Sequence, residues 1–208
     1  MEKIIIATKN IGKAREFRNF FSQLPEKYEI ITLNDLTNLP EIFENGHSFT
    51  ENAAIKAQKI YEATHQTVIA DDSGLEVDAL GGEPGIYSAR YAGDHDDQAN
   101  NQKLLNNLSK VLPPERTAHF ITVLVVMGPH GKIETAGRVD GVILDHLQGN
   151  DGFGYDPLFY YPPLQKTFAE MSPAEKNKIS HRGLAMNNLI KAWPDYIKGK
   201  NDENTNLQ

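Results

Sequence analysis

The chain contains no cysteine, which removes disulfides, thiol nucleophiles and thiolate zinc sites from consideration. It has no apolar stretch near the roughly 20 residues that a helix needs to cross a bilayer. No signal-peptide pattern separates Met1 from the first strand-like segment, so a cytoplasmic protein is expected. Positive charge is also scarce. Twenty-one Lys and Arg stand against 28 Asp and Glu, a formal net charge of -7, which argues against nucleic acid or a membrane surface as partner. A local basic cluster can still hold a small polyanion inside one cleft. The seven histidines show no metal-ligand spacing such as H-E-x-x-H. Of these, His47, His65, His95, His119, His130 and His146 read as surface or packing residues.

What is present suits one domain. The chain has 208 residues with 39% hydrophobic and 24% charged content, enough to bury a substantial core. There is no internal repeat and no clear linker. Lys3-Ile4-Ile5-Ile6-Ala7-Thr8 reads as a short buried strand. A helix follows from about Lys13, with Phe17, Phe20, Phe21 and Leu24 on one face and Pro25 ending it. Tyr28 to Leu33 is the next strand, which gives a β-α-β opening and predicts parallel pairing. Ser48-Phe49-Thr50-Glu51 matches a capping box. The helix it starts buries Ala53, Ala54, Ala57, Ile60, Tyr61 and Thr64 and leaves Asn52, Lys56 and Lys59 off the stripe. A helix carrying Leu104, Leu105, Leu108, Val111 and Leu112 is broken by Pro113-Pro114. Residues 118–127 and 132–144 flank Gly128-Pro129-His130-Gly131 as a hairpin. Ser172-Pro173-Ala174-Glu175 starts the last helix, anchored by Leu184, Leu189, Ile190 and Trp193.

Four segments can carry chemistry. Val68-Ile69-Ala70 leads into Asp71-Asp72-Ser73-Gly74, placing two carboxylates where a strand should end and a loop begin. Side chains alternate along a strand, so at most one of the pair faces a given cleft. A carboxylate there can hold a metal or orient a water, although Asp-Asp-Ser-Gly is also ordinary turn chemistry. Thr8-Lys9-Asn10-Ile11-Gly12-Lys13 links a strand to a helix N-terminus, where unpaired N–H groups and the helix dipole favour an anion. It is not a Walker A loop, since Ala14 stands where Ser or Thr would bind magnesium. Gly152-Phe153-Gly154-Tyr155-Asp156-Pro157 offers a Phe between glycines, either a base-stacking platform or a plug sealing a loop. Glu175 to Arg182 reads as a solvated helical face, yet Lys176 and Arg182 can only donate hydrogen bonds and His181 can do either.

Together these segments resemble the inosine triphosphate pyrophosphatases, also called dITP/XTP diphosphatases. The matching pieces are Thr8 to Lys13, Glu51 to Ala57, Ala70 to Leu75, Gly82 to Tyr91, Gly152 to Pro157 and Ile179-Ser180-His181-Arg182-Gly183, in family order from Met1 to about Trp193. Lys9 departs from the pattern, which often has glycine there, and so changes the shape or charge of the phosphate loop. The hairpin and the polar tail match poorly.

The resemblance implies an α/β fold with an elongated mixed β-sheet, flanking helices and two lobes around a central cleft. Residues 1–198 then form one two-lobed domain; residues 199–208, by their polar composition alone, are expected to be a disordered tail. It implies a homodimer and magnesium-dependent hydrolysis of non-standard purine nucleoside triphosphates to monophosphate and pyrophosphate. Asp72 is then the general base and a metal residue, with Glu44 its acidic partner and Glu41 a substitute. Thr8, Lys9, Asn10, Ile11, Gly12, Lys13, Lys56 and Ser73 hold the triphosphate. Phe153, Gly154, Tyr155, Asp156, Lys176, His181 and Arg182 form the base and sugar pocket. The alternatives are a Maf-type pyrophosphatase acting on other nucleotides and a non-catalytic nucleotide sensor.

Overall fold

The structure is a computed structural model that describes residues 2–24, 26–93 and 96–199. Of the expected tail only Gly199 falls among them; residues 200–208 lie outside the described residues, as do Pro25 and His95. Among the described residues seven strands, β1 (Glu2–Ile6), β2 (Tyr28–Thr32), β3 (Thr67–Val77), β4 (Thr117–Gly128), β5 (Gly131–Ile143), β6 (Phe159–Tyr161) and β7 (Lys166–Thr167), form a mixed sheet in the order β2-β1-β3-β4-β5-β6-β7. The chain divides into two compact units. The first takes the described residues up to Asp71, Val123–Thr135, and those from Met186 onward; the second takes Asp72–Thr122 and Ala136–Ala185.

In the first unit β1 (Glu2–Ile6) pairs in parallel with β2 (Tyr28–Thr32) and with β3 (Thr67–Val77), Ile4 lying opposite both Ile30 and Thr67. Ile4, Ile5 and Ile6 are all buried, the continuous apolar run that a parallel strand covered on both faces requires. The β-α-β opening is therefore as expected. Helix α1 (Ile11–Phe21) starts two residues earlier than its apolar spacing suggests. The reason is its cap: Asn10 Oδ1 accepts from the Lys13 N–H at 3.0 Å. Phe17 and Phe21 are buried, and Phe21 meets Tyr28 and Trp193 edge-on at 5.8 and 5.6 Å. In α2 (Phe49–Thr64) Ala53, Ala57 and Ile60 are buried as expected. Asn52 and Lys56, expected off the buried stripe, are buried too, at 0% and 8% exposure. Their polar atoms meet partners from the preceding loop, which the helical period alone does not reveal.

The turn expected at Asp71-Asp72-Ser73-Gly74 does not exist, because β3 runs through it to Val77. The strand is held on both sides. Ser73, Glu76 and Asp78 are bonded to Thr122, His119 and Thr117 of β4 (Thr117–Gly128), at 2.9, 2.6 and 2.6 Å. These pairs step forward along one strand and backward along the other, so the two are antiparallel here. The Leu75 N–H donates at 2.9 Å to Ser88 Oγ, in the 3₁₀ turn Gly85–Arg90. Tertiary partners thus outweigh the local turn preference of Asp, Ser and Gly.

The expected hairpin is present: β5 (Gly131–Ile143) follows β4 after two residues. Helix α3 (Asp97–Asn107), capped by Asp96, buries Leu104 and closes at its C-cap Leu108, so Val111 and Leu112, expected on this helix, lie beyond its end and Pro113-Pro114 is not what breaks it. The short strands β6 (Phe159–Tyr161) and β7 (Lys166–Thr167) complete the sheet. The core of this second unit gathers Leu75, Leu104, Phe120, Phe159, Phe168 and their neighbours. The single last helix expected from Ser172 is two helices, α4 (Pro173–Ile179) and α5 (His181–Ile197). Ser180 breaks them with ψ 154; its N–H closes α4 onto the Lys176 carbonyl at 2.8 Å, and its Oγ accepts from the Gly183 N–H at 3.1 Å. One serine both ends α4 and caps α5.

Candidate active site

The expected phosphate loop belongs to the first unit. Thr8 is 8% exposed, and its Oγ1 accepts from the Asn10 N–H at 3.1 Å. Asn34 Nδ2 donates to the Lys9 carbonyl at 3.1 Å, while the Lys9 side chain is exposed. Ile11 is 79% exposed at the first turn of α1, so it fills no core and leaves the helix N-terminus open to an anion. Lys13 reaches Asp71 at 2.7 Å, and Asp71 is 1% exposed. An Asp71 carboxylate buried to this degree holds the ammonium at the helix entrance, so the first aspartate of the pair fixes the charge of the loop. Sequence spacing could not couple residues so far apart along the chain.

A second group in the same unit joins two expected site residues. Lys56 Nζ lies 3.2 Å from Glu44 Oε2, with side chains 10% and 33% exposed. Asn52 Oδ1 accepts from the Gly46 N–H at 2.9 Å and ties the Glu44 loop to α2. Glu41, the expected substitute, is exposed. Among the described residues no three histidine or acidic side chains gather into a cation cage. A magnesium ion keeps several waters and takes substrate phosphate oxygens beside one or two carboxylates; Glu44 in the first unit and Asp72 in the second each offer the hard carboxylate oxygens it takes. Asp72 is 8% exposed in β3.

The second unit holds the expected base pocket. Ser73 Oγ accepts from Arg182 Nη2 at 3.4 Å as well as from Thr122. Lys176, His181 and Arg182, read from sequence as a solvated face, are 7%, 4% and 3% exposed. His181 stacks on Phe120, centroids 4.6 Å apart and planes at 10°. Lys176 donates to Asp156 Oδ2 at 2.5 Å, and the Phe153 N–H donates to the same oxygen at 2.9 Å. The half-buried Phe153 ring has Lys176 Nζ 4.9 Å and Arg182 Cζ 5.6 Å from its centroid, a cation–π arrangement. Burial pushes the Asp156 carboxyl up, against the pull of Lys176, the Phe153 N–H and Arg182. Tyr155 is buried and donates to the Ser88 carbonyl at 2.9 Å; burial raises its hydroxyl well above the ordinary range, so it stays a donor. Two open recesses, one over Leu39 and Lys59 and one over Asp140 and Lys178, contain none of the expected site residues.

The α4–α5 break is what brings His181 and Arg182 inward, and it depends on Gly183. A Cβ there would overlap the Asn177 carbonyl oxygen of α4, which is backbone and cannot swing aside. Gly183→Ala is expected to cost about 1–3 kcal/mol, visible as a lower urea midpoint at unchanged slope. The expectation of a single last helix passed over this second cap, for which Ser180 directly before His181 is the one local signal.

These features define an α/β protein with one basic loop at a helix N-terminus and a separate buried cation pair beside an aromatic ring. The chain belongs to the Ham1 family, whose profile matches residues 4–192. It is 48% identical over 200 residues to the dITP/XTP pyrophosphatase of Leuconostoc mesenteroides, covering 95% of this chain and all of that protein. It is 52% identical to the enzyme of the same name from Lactiplantibacillus plantarum, covering 94% and 96% of the two chains. Among solved structures, the Staphylococcus aureus Ham1 protein superposes with a TM-score of 0.82 at 44% identity, covering 96% of this chain and 100% of that one. A HAM1 protein from Coxiella burnetii gives 0.84 at 37% identity, covering 94% and 100%.

Proposed function

We propose that the protein hydrolyses non-standard purine nucleoside triphosphates (XTP, ITP and dITP) to the monophosphate and pyrophosphate, cleansing the nucleotide pool before incorporation into DNA or RNA. The observation that carries this reading is the buried pair Lys176 and Arg182 beside Phe153. Hypoxanthine and xanthine present an oxygen at C6, whereas adenine presents an amino group. An ammonium has three N–H donors, and the Asp156 bond uses one; Arg182 adds a fork of donors. Such a lining satisfies the C6 oxygen and sets donor against donor with adenine, a mismatch worth about 10⁴-fold or more in a closed site. Guanine shares the C6 oxygen, so its rejection has to come from the C2 side. The names of the near-full-length relatives support dITP and XTP among these substrates.

Asp72 accepts the proton of the attacking water as the water oxygen bonds to the α-phosphorus. The bond from that phosphorus to the α–β bridging oxygen then breaks, and pyrophosphate leaves. Lys13, Lys56 and the first turn of α1 meet the charge of the phosphates. Glu44 and Asp72 would hold magnesium, which when bound neutralises phosphate charge that builds on the departing group. The protein acts as a homodimer in the cytoplasm in this reading, and sedimentation velocity checks the dimer.

Pyrophosphate release across a panel of triphosphates is the test. ITP, dITP and XTP are expected to turn over at least ~10²-fold faster than dTTP, UTP or ATP, with activity lost on chelation by EDTA and restored by added magnesium. Preference for a pyrimidine triphosphate would instead make the protein a Maf-type enzyme, and binding without pyrophosphate release a sensor.

A further inference from the structure

Helix α3 supplies no group to the proposed reaction, yet two of its four asparagines are buried against sequence motifs, Asn100 donating to the Ala89 carbonyl and Asn101 to the Gly154 carbonyl. Asn100 and Asn101 are 2% and 5% exposed, unusual for a residue type found mostly at the surface. Asn100 closes the loop before its own helix, accepting from the Ala92 and Gly93 N–H groups at 2.6 and 3.3 Å. Asn101 serves the base loop. Its Nδ2 donates to the Gly154 carbonyl at 2.8 Å and to the Asp97 carbonyl, one turn back, at 2.8 Å. Asp97 Oδ2 in turn accepts from the Gly154 N–H at 2.7 Å. Two side chains at i and i+4 on one helix face therefore hold both backbone polar groups of Gly154.

The orientation of the Asn101 amide is fixed by chemistry. Both of its bonds run to carbonyl oxygens, where only the NH₂ end can sit. Its Oδ1 is buried with no hydrogen-bond partner among the described residues. The position thus calls for two donors, which neither a carboxylate nor an apolar side chain provides. The clamped segment needs restraint, because Phe153 stands between two glycines, the residue with the widest backbone freedom. Gly152 itself has φ +83, and a Cβ on it would overlap Asp156 Oδ2, so no stiffer residue can replace it. Asp156 holds the Phe153 N–H at 2.9 Å on one side, and α3 holds Gly154 on the other.

We propose that Asp97 and Asn101 are positioning residues for purine selectivity: by clamping the Gly154 backbone they set the direction of the Phe153 ring on which the base stacks. This rests on the function proposed above, since Phe153 is a base platform only when a purine is bound.

Steady-state kinetics of Asp97→Ala and Asn101→Ala test it, with inorganic pyrophosphate as a competing inhibitor that has no base to place. The KM for ITP is expected to rise about tenfold with kcat within about threefold, and the preference for ITP over ATP to fall about tenfold, the loss of one charge-assisted contact. The inhibition constant of pyrophosphate stays within about twofold. Asp97→Asn keeps an acceptor for the Gly154 N–H and is expected to restore wild-type KM. If Asn101→Ala does not fold, Asp97→Ala, at the exposed end of α3, carries the test alone. Unchanged KM and preference in the alanine variants overturn the clamp. So does a loss shared equally by ITP, ATP and pyrophosphate, which marks a general strut. A wild-type protein that releases no pyrophosphate from ITP overturns the proposed function instead.

Discussion

Asp72→Asn is expected to give a folded, nucleotide-binding protein whose turnover of ITP is about 10²–10⁴-fold lower. Asparagine matches aspartate in shape, and the side chain sits buried in a strand held on both sides, by Thr122, His119 and Thr117 and by Ser88. The amide keeps the volume but cannot take a proton from water, so the loss falls on the chemical step. Its neighbour sharpens the contrast. Asp71, at 1% exposure, is committed to Lys13 at 2.7 Å, a pairing that positions charge and leaves that carboxylate poorly placed to serve as a base. Single-turnover pyrophosphate release and equilibrium binding of ITP separate the two roles. Near wild-type release by Asp72→Asn removes Asp72 from the base role, and intact release with lost binding assigns it to substrate contact.

Legibility in the sequence followed the range of the forces involved. The β1-α1-β2 opening could be read directly, because Ile4 to Ile6, Phe17 and Phe21 declare their burial through local period. The caps at Ser48 and Ser172 are local in the same way, although Glu51 reaches the His47 N–H at 2.6 Å, one residue beyond the expected box, whereas the Asn10 cap went unread, which placed the expected start of α1 two residues late. Where partners come from distant segments, local reading failed. Asp71 to Gly74 looks like a turn until Ser88 and β4 occupy its hydrogen bonds. Lys176 and Arg182 look solvated until Asp156 and Ser73 are brought to them. Asn52 and Lys56 lie off the apolar stripe, yet the Gly46 N–H and Glu44 make their burial tolerable. The misread positions are mostly the candidate site itself, the expected pattern when local preference is overridden for function.

The largest stability effect is expected from Lys176→Met. The change removes the cation that holds Asp156 at 2.5 Å, and both side chains are buried, at 9% and 3% exposure. A buried carboxylate stripped of its partner destabilises a protein by about 3–5 kcal/mol, or about 6–20 °C in Tm for a chain of this size. The pH dependence carries a definite sign. Burial already raises the Asp156 carboxyl, and Lys176 is the strongest opposing influence; without it the folded carboxyl is raised further. A carboxyl whose folded pKa lies above its unfolded value binds protons more tightly when folded, so stability is greatest in acid and falls as pH rises from the ordinary carboxylate range through the raised pKa. Thermal unfolding of Lys176→Met between about pH 4 and 8 should therefore show a deficit that shrinks toward acid. Adding Asp156→Asn removes the buried charge while keeping an acceptor for the Phe153 N–H, so most of the lost stability should return at neutral pH. Activity should not return with it, because the donor proposed to meet the base oxygen is still missing. If the double variant recovers ITP turnover along with stability, Lys176 serves the fold alone, and base recognition rests on Arg182.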